Sequence, residues 1–163
     1  MPDLPMLSAQ EAHALVASID TGTLTGLRDR AIVGLMGSIE CSPAAVVNLV
    51  LGDVLQQDEL LQVRLPGLDG QRQRNVPCLP VPQAWLQAYL DRAGLSEPDA
   101  LVFRRGGMRA DVLSRRLLSQ REIFSMVNDR AEAAGVRARL TWGAFRTAGL
   151  SIYLINATWT VQP

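Results

Sequence analysis

Apolar residues recur at helical spacing over six stretches of this chain, and one central region alternates instead. Ser8-Ala-Gln-Glu11 has the pattern of a capping box and predicts a first helix from Ala9 to Ser18, with Ala12, Leu15, Val16 and Ile19 on one face. Residues 23 to 26 read as a linker. A second helix is expected from Leu27 to about Ser38, with Leu27, Ala31 and Leu35 turned inward and Arg28 and Asp29 outward. Ser42-Pro43 reads as an N-cap followed by a first helical residue, opening a third helix to about Leu49.

The alternating region comes next. Gln62 to Leu65 and Arg74 to Pro77 flank Gly67-Leu-Asp-Gly70, and an Asp-Gly pair between extended segments predicts a hairpin turn. A fourth helix follows from Pro82 to Ala93, burying Trp85, Leu86, Tyr89 and Leu90 and stopped by Gly94. Leu101 to Phe103 reads as a short strand and Arg104 to Arg109 as a loop. Ser119 caps a fifth helix ending at Gly135, and Thr141 or Gly143 opens a sixth that runs to about Asn156. The fold class expected is α+β, mostly helical, with helices packed around a small antiparallel β-hairpin, in one domain spanning residues 1 to 163.

Composition narrows the chemistry. The 163 residues are 48% hydrophobic, enough for a real core, and sixteen basic residues balance sixteen acidic ones. The balance is uneven along the chain. From Arg104 onward ten arginines face four carboxylates, a net of +6, so the preceding part carries −6. Every cation is an arginine, because the chain has no lysine. Guanidinium matches phosphate oxygens with a fork of donors but does not shuttle protons as an ammonium does. Coding bias in a GC-rich genome is the better account of that composition.

Cys41 and Cys78 fit no zinc-ligand spacing and predict reduced, partly buried thiols; no metal or cofactor is expected. The start, Met-Pro-Asp-Leu-Pro, has no basic n-region or apolar core, and the longest apolar run is far too short to span a membrane. A cytoplasmic protein is expected. His13, the one histidine, lies outside every motif, which disfavours a serine-histidine hydrolase.

Two segments carry a resemblance. Gly26-Leu-Arg-Asp-Arg-Ala-Ile-Val-Gly-Leu-Met36, read with Leu140-Thr-Trp-Gly-Ala-Phe-Arg146-Thr-Ala-Gly-Leu-Ser-Ile-Tyr153-Leu, resembles the catalytic domain of the tyrosine recombinase (phage integrase) family. The likeness extends from about Ser8 to Gln162 and is closest at Gly26 to Met36, Val63 to Leu65 and Ala133 to Leu154. It implies a site in which two arginines clamp a phosphodiester, histidines and a lysine move protons, and a tyrosine attacks the phosphorus.

Laid onto this chain, the family's first arginine falls on Ser42, and the hairpin turn that should hold the lysine is Gly67-Leu-Asp-Gly-Gln71. The histidine of His-x-x-Arg falls on Gly143, and its arginine is Arg146. Tyr153 lies two turns beyond Arg146 on the same helix and is out of register for the nucleophile. The resemblance also implies that the family's N-terminal arm and C-terminal tyrosine helix lie outside residues 1 to 163.

The resemblance therefore implies a degenerate recombinase-like domain linked to DNA recombination or integration, unable to cleave. Its DNA contacts are expected at Arg146, Arg72, Arg74, Arg104, Arg105, Arg137 and Arg139, with weak, salt-dependent affinity. The alternative is a protein-interaction module that pairs with or modulates an intact recombinase, or pairs with itself, or a mobile-element remnant. No membrane partner is expected.

Overall fold

A computed structural model describes residues 8–39, 41–67, 72–109 and 111–136. In these, helix α1 (Ala9–Ala17) and helix α2 (Leu24–Ser38) lead to α3 (Pro43–Asn48) and a single 3₁₀ turn at Leu51–Asp53. Strands β1 (Val54–Gln57), β2 (Leu60–Leu65) and β3 (Arg74–Pro77) follow, then α4 (Pro80–Ala93), strands β4 (Arg104–Gly106) and β5 (Leu113–Leu117), and α5 (Gln120–Ala133). The mostly helical α+β expectation holds. The expected sixth helix lies outside the described residues.

Serine caps set three of the helix starts. Ser8 with Glu11 and Ser119 with Glu122 form reciprocal capping boxes, and Ser42 Oγ accepts from the Ala45 amide at 3.2 Å. Thr23 caps α2 through the Gly26 amide at 3.0 Å, so residues 23 to 26 are a helix start and not a linker. Gly26 is obligatory there. A Cβ on it would sit 1.7 Å from the Asp20 carbonyl oxygen. Gly94 terminates α4 at φ 67°, the left-handed conformation a glycine reaches without steric cost.

The hairpin is part of a three-stranded antiparallel sheet in the order β1-β2-β3. Its β2–β3 register pairs Gln62 with Pro77 and Leu65 with Arg74, in the two segments anticipated. Strand β1 joins β2 through the two-residue turn Asp58-Glu59, with Asp58 at φ 55°. A second antiparallel pair, β4–β5, occupies Arg104–Gly106, the segment read as a loop, while Leu101 makes only an isolated bridge to Val50. Leu101 to Phe103 is thus not a strand.

The core is built on α2. Twelve of its fifteen residues are buried, so it is covered on all sides and not amphipathic. Burial extends to Arg28 and Asp29, which reverses their expected outward orientation. The reason is electrostatic. Arg28 Nε and Nη2 donate to Asp29 Oδ1 at 3.0 and 2.7 Å, Arg28 Nη1 donates to the Arg104 carbonyl at 2.8 Å, and Arg130 Nη2 reaches Asp29 Oδ2 at 3.1 Å. A buried charge is tolerated when its partners replace water.

Helix α4 packs along α2 with Leu86 and Tyr89 fully covered and Trp85 and Leu90 partly so. Tyr89 stacks on Phe103 with ring centroids 5.4 Å apart and donates its hydroxyl to the Val102 carbonyl at 2.6 Å. Burial pushes the phenol's pKa up, against the opposing pull of Arg28 and Arg104. No helix among the described residues is long and apolar enough to cross a membrane.

Candidate functional site

Ser42 stands at the N-terminus of α3, where it both caps the helix and lines the side of a half-open pocket of about 310 Å³. The other lining residues are Ala44, Ala45, Asn48 and Leu49 of the α3 region, Asp53 of the 3₁₀ turn, Arg64 and Pro66 at the end of β2, and Gln73 before β3. Small side chains at 42, 44 and 45 leave this space open. Three chain segments close around it: the start of α3, the 3₁₀ turn, and Arg64, Pro66 and Gln73, which flank residues 67 to 71.

Among the described lining residues the charges are one pair, Arg64 and Asp53. Arg64 Nη1 approaches Asp53 Oδ1 at 3.8 Å, a loose contact between side chains that are 39% and 23% exposed. Asp53 also accepts from the Val50 amide at 3.3 Å, which fixes its orientation. Asn48 donates its amide nitrogen to the Ala44 carbonyl at 2.8 Å, so its carbonyl oxygen remains available to accept. The described lining thus combines polar Ser42, Asn48, Asp53, Arg64 and Gln73 with apolar Ala44, Ala45, Leu49 and Pro66.

The hairpin arginines diverge. Arg72 is exposed on the approach to β3. Arg74 pairs across the ladder with Leu65, whose side chain is 2% exposed, and therefore shares the core-facing side of the sheet. Its Nε is buried without a hydrogen-bond partner, and its charge acts on the Cys41 thiol. Burial is the dominant influence on both cysteines, raising Cys41 to about 12 and Cys78 to about 11. Both are free and buried, and unreactive thiols follow.

The other expected contacts lie on and around the β4–β5 pair. Arg104 is half-buried, donates Nε to the Leu101 carbonyl at 3.3 Å and lends its own carbonyl to Arg28. Arg105 is exposed but held by Glu122 at 2.6 Å. The Glu122 carboxyl is lowered below its ordinary range, first by the capping bonds at Ser119 and further by Arg105. Beyond it, Arg109, Arg115, Arg116 and Arg121 are exposed, with Arg115 and Arg116 consecutive on β5 and so on opposite faces of that strand. Arg137, Arg139, Arg146, Gly143 and Tyr153 lie outside the described residues, as do Leu68 to Gln71.

Among the described residues no group of His, Cys, Asp and Glu side chains is arranged to hold a metal ion. The structure therefore brings Ser42, Arg64, Asp53 and Gln73 together, and sequence alone singles out only Ser42. Arg64 falls within the Val63–Leu65 stretch of the family likeness but has no role assigned by it, and Asp53, eleven positions earlier, has no motif to mark it.

Comparison with known proteins gives a consistent set of likenesses. Over 135 residues the chain is 34% identical to tyrosine recombinase XerD of Xanthomonas axonopodis pv. citri, covering 80% of this chain and 43% of that protein. Over 111 residues it is 36% identical to tyrosine recombinase XerC 2 of Ralstonia nicotianae, covering 64% of this chain and 30% of that one. The chain thus spans less than half the length of these curated relatives.

Among solved structures, the crystal structure of XerA recombinase superposes with a TM-score of 0.70 at 20% identity, over 100% of this chain and 53% of that one. XerH site-specific recombinase, bound to its difH substrate in a pre-cleavage complex, superposes with a TM-score of 0.58 at 17% identity, over 96% of this chain and 43% of that one. These two likenesses establish the fold. No family model matches the chain.

Proposed function

The chain belongs to the tyrosine recombinase family, and on that premise we propose that it is a degenerate member, tied to DNA recombination or integration, that holds duplex DNA weakly and does not cut it. The observation that carries this reading is Ser42. A serine bound to the Ala45 amide as a helix cap presents a neutral hydroxyl where the family resemblance calls for a guanidinium. The chain has no lysine for proton transfer, and Gly143 stands where the histidine belongs.

Phosphodiester cleavage passes through a phosphorane-like state with additional negative charge. Removing one preorganised donor from such a site costs about 10² to 10³ in rate. Three positions are altered here, so binding outlives chemistry. Affinity comes from backbone phosphates facing the arginine-rich C-terminal part, where Arg146 keeps its motif position and Arg109, Arg115, Arg116 and Arg121 are exposed. Sequence discrimination is correspondingly small.

A labelled duplex titrated at two salt concentrations tests this reading. Binding at low salt that weakens steeply at higher salt, and weakens again in Arg146→Ala, supports it. Absence of binding at low salt overturns it.

A second reading, docking onto an intact recombinase or another copy of this chain, is favoured by one observation. Met108, Val112 and Leu117 on and around the β4–β5 pair are 104%, 50% and 67% exposed beside the arginines. Co-purification with a full-length recombinase in the absence of DNA, lost in Leu117→Glu, distinguishes this reading from the first.

A further inference from the structure

We infer that Arg64 is the cation that the Ser42 pocket offers to a DNA phosphate, and that Asp53 is its built-in competitor. The inference rests on the DNA-binding reading above and assigns one site within it. Among the described lining residues Arg64 alone carries positive charge. Its side chain is 39% exposed, and Arg64 lines the same pocket as Ser42.

The alternatives are placed elsewhere. Arg74 lies on the core-facing side of the sheet, while Arg64, paired with Asn75 in the adjacent register position, lies on the other. Arg72 is exposed but is not one of the residues that line the pocket.

The Arg64–Asp53 contact is loose enough to exchange. At 3.8 Å it stands at the outer limit of an ion pair, and partly exposed pairs of this kind hold weakly. A phosphate entering the space left by Ser42, Ala44 and Ala45 offers the guanidinium a bidentate acceptor in place of a single distant oxygen. The Ser42 hydroxyl adds a donor, since its oxygen serves the cap and its proton is free to turn outward.

Asp53 sets the affinity in the opposite sense. Its carboxylate neutralises Arg64 before DNA arrives and repels the phosphate afterwards. Removing that charge therefore strengthens binding, which a purely structural pair does not predict. The Val50 amide bond survives the exchange to asparagine, so the loop keeps its shape.

The experiment is fluorescence anisotropy with a fluorescein-labelled duplex of mixed sequence across a salt series, using the full chain and Arg64→Ala, Arg64→Lys and Asp53→Asn. Arg64→Ala is expected to weaken binding about 3- to 10-fold and to lower the slope of log affinity against log salt by about one. Arg64→Lys keeps the slope and loses less affinity. Asp53→Asn tightens binding a few-fold.

If the unsubstituted chain binds and Asp53→Asn leaves affinity unchanged or lowers it, the inference is wrong while DNA binding stands. A folded Arg64→Ala with unaltered affinity and slope has the same consequence, and Arg64→Lys with Asp53→Asn decides the matter should the alanine variant not fold. If the unsubstituted chain itself fails to bind, both the DNA reading and this inference fall.

Discussion

Asp29 and Arg130 are 101 positions apart in sequence and 3.1 Å apart in the fold, and their contact fastens α5 to α2. Arg28 completes the group and extends it to the Arg104 carbonyl at the start of β4. The Arg28–Asp29 pair thus ties the helix at the centre of the core to α5 through Asp29 and to β4 through Arg28.

Asp29→Asn is expected to destabilise the domain by about 3 to 5 kcal/mol, because it leaves the buried Arg28 guanidinium without its counter-charge. Arg130→Ala costs less, since its side chain is 28% exposed and Arg28 still holds Asp29. Urea denaturation measures both. Equal, small losses would show that the pair is not the fastening described.

Gly26→Ala is expected to destabilise by about 2 kcal/mol or more, because the new methyl group overlaps the Asp20 carbonyl and forces the start of α2 to shift. Alanine is ordinarily the better helix former. A melting temperature that rises in this variant would contradict the close approach.

Glu122→Gln separates capping from charge. Glutamine retains the reciprocal bond of the capping box but releases Arg105, so α5 stays within about 1 kcal/mol of its original stability while DNA binding tightens. The carboxylate's pKa is lowered, so its contribution is present above about 4.5 and is lost as pH falls below that value. Chemical denaturation and anisotropy at about pH 7 measure the two effects. Weaker DNA binding would show that Glu122 does not restrain Arg105.

The buried thiols predict an alkaline limit to stability. Cys41 and Cys78 are raised from 9.0 to about 12 and about 11, so the stability associated with their neutral forms is intact below 9 and is lost as pH rises through the folded values. Native protein at about pH 8 is expected to resist a thiol-specific reagent that labels both cysteines in denaturant. Rapid labelling of either in the native state would contradict their burial.

The elements that are legible from sequence have local causes. The serine caps at 8, 42 and 119, the Gly94 stop and the alternation of Leu61, Val63 and Leu65 are written within a few residues of where they act. Strand β1 has no such mark, because its burial falls from partly covered to exposed along Val54–Gln57 without alternating. The β4–β5 pair is obscured by its arginines and by Gly106-Gly107, which read as a loop.

The Arg28–Asp29 pair departs from expectation for a different reason. Charged neighbours on a helix ordinarily face water, whereas here they pair with each other and the distant Arg130 and the Arg104 carbonyl add partners that make their burial tolerable. In the same way Ser42 is marked by a motif, whereas Arg64, Asp53 and Gln73 meet it only through tertiary folding.

The most direct test of the central claim is a covalent-trapping assay, in which the chain is incubated with a nicked duplex that traps the tyrosine-linked intermediate and the products are resolved under denaturing and native conditions. The prediction is a salt-sensitive native complex with no protein–DNA adduct after denaturation. A denaturation-resistant adduct, or the absence of any native complex at low salt, would contradict it.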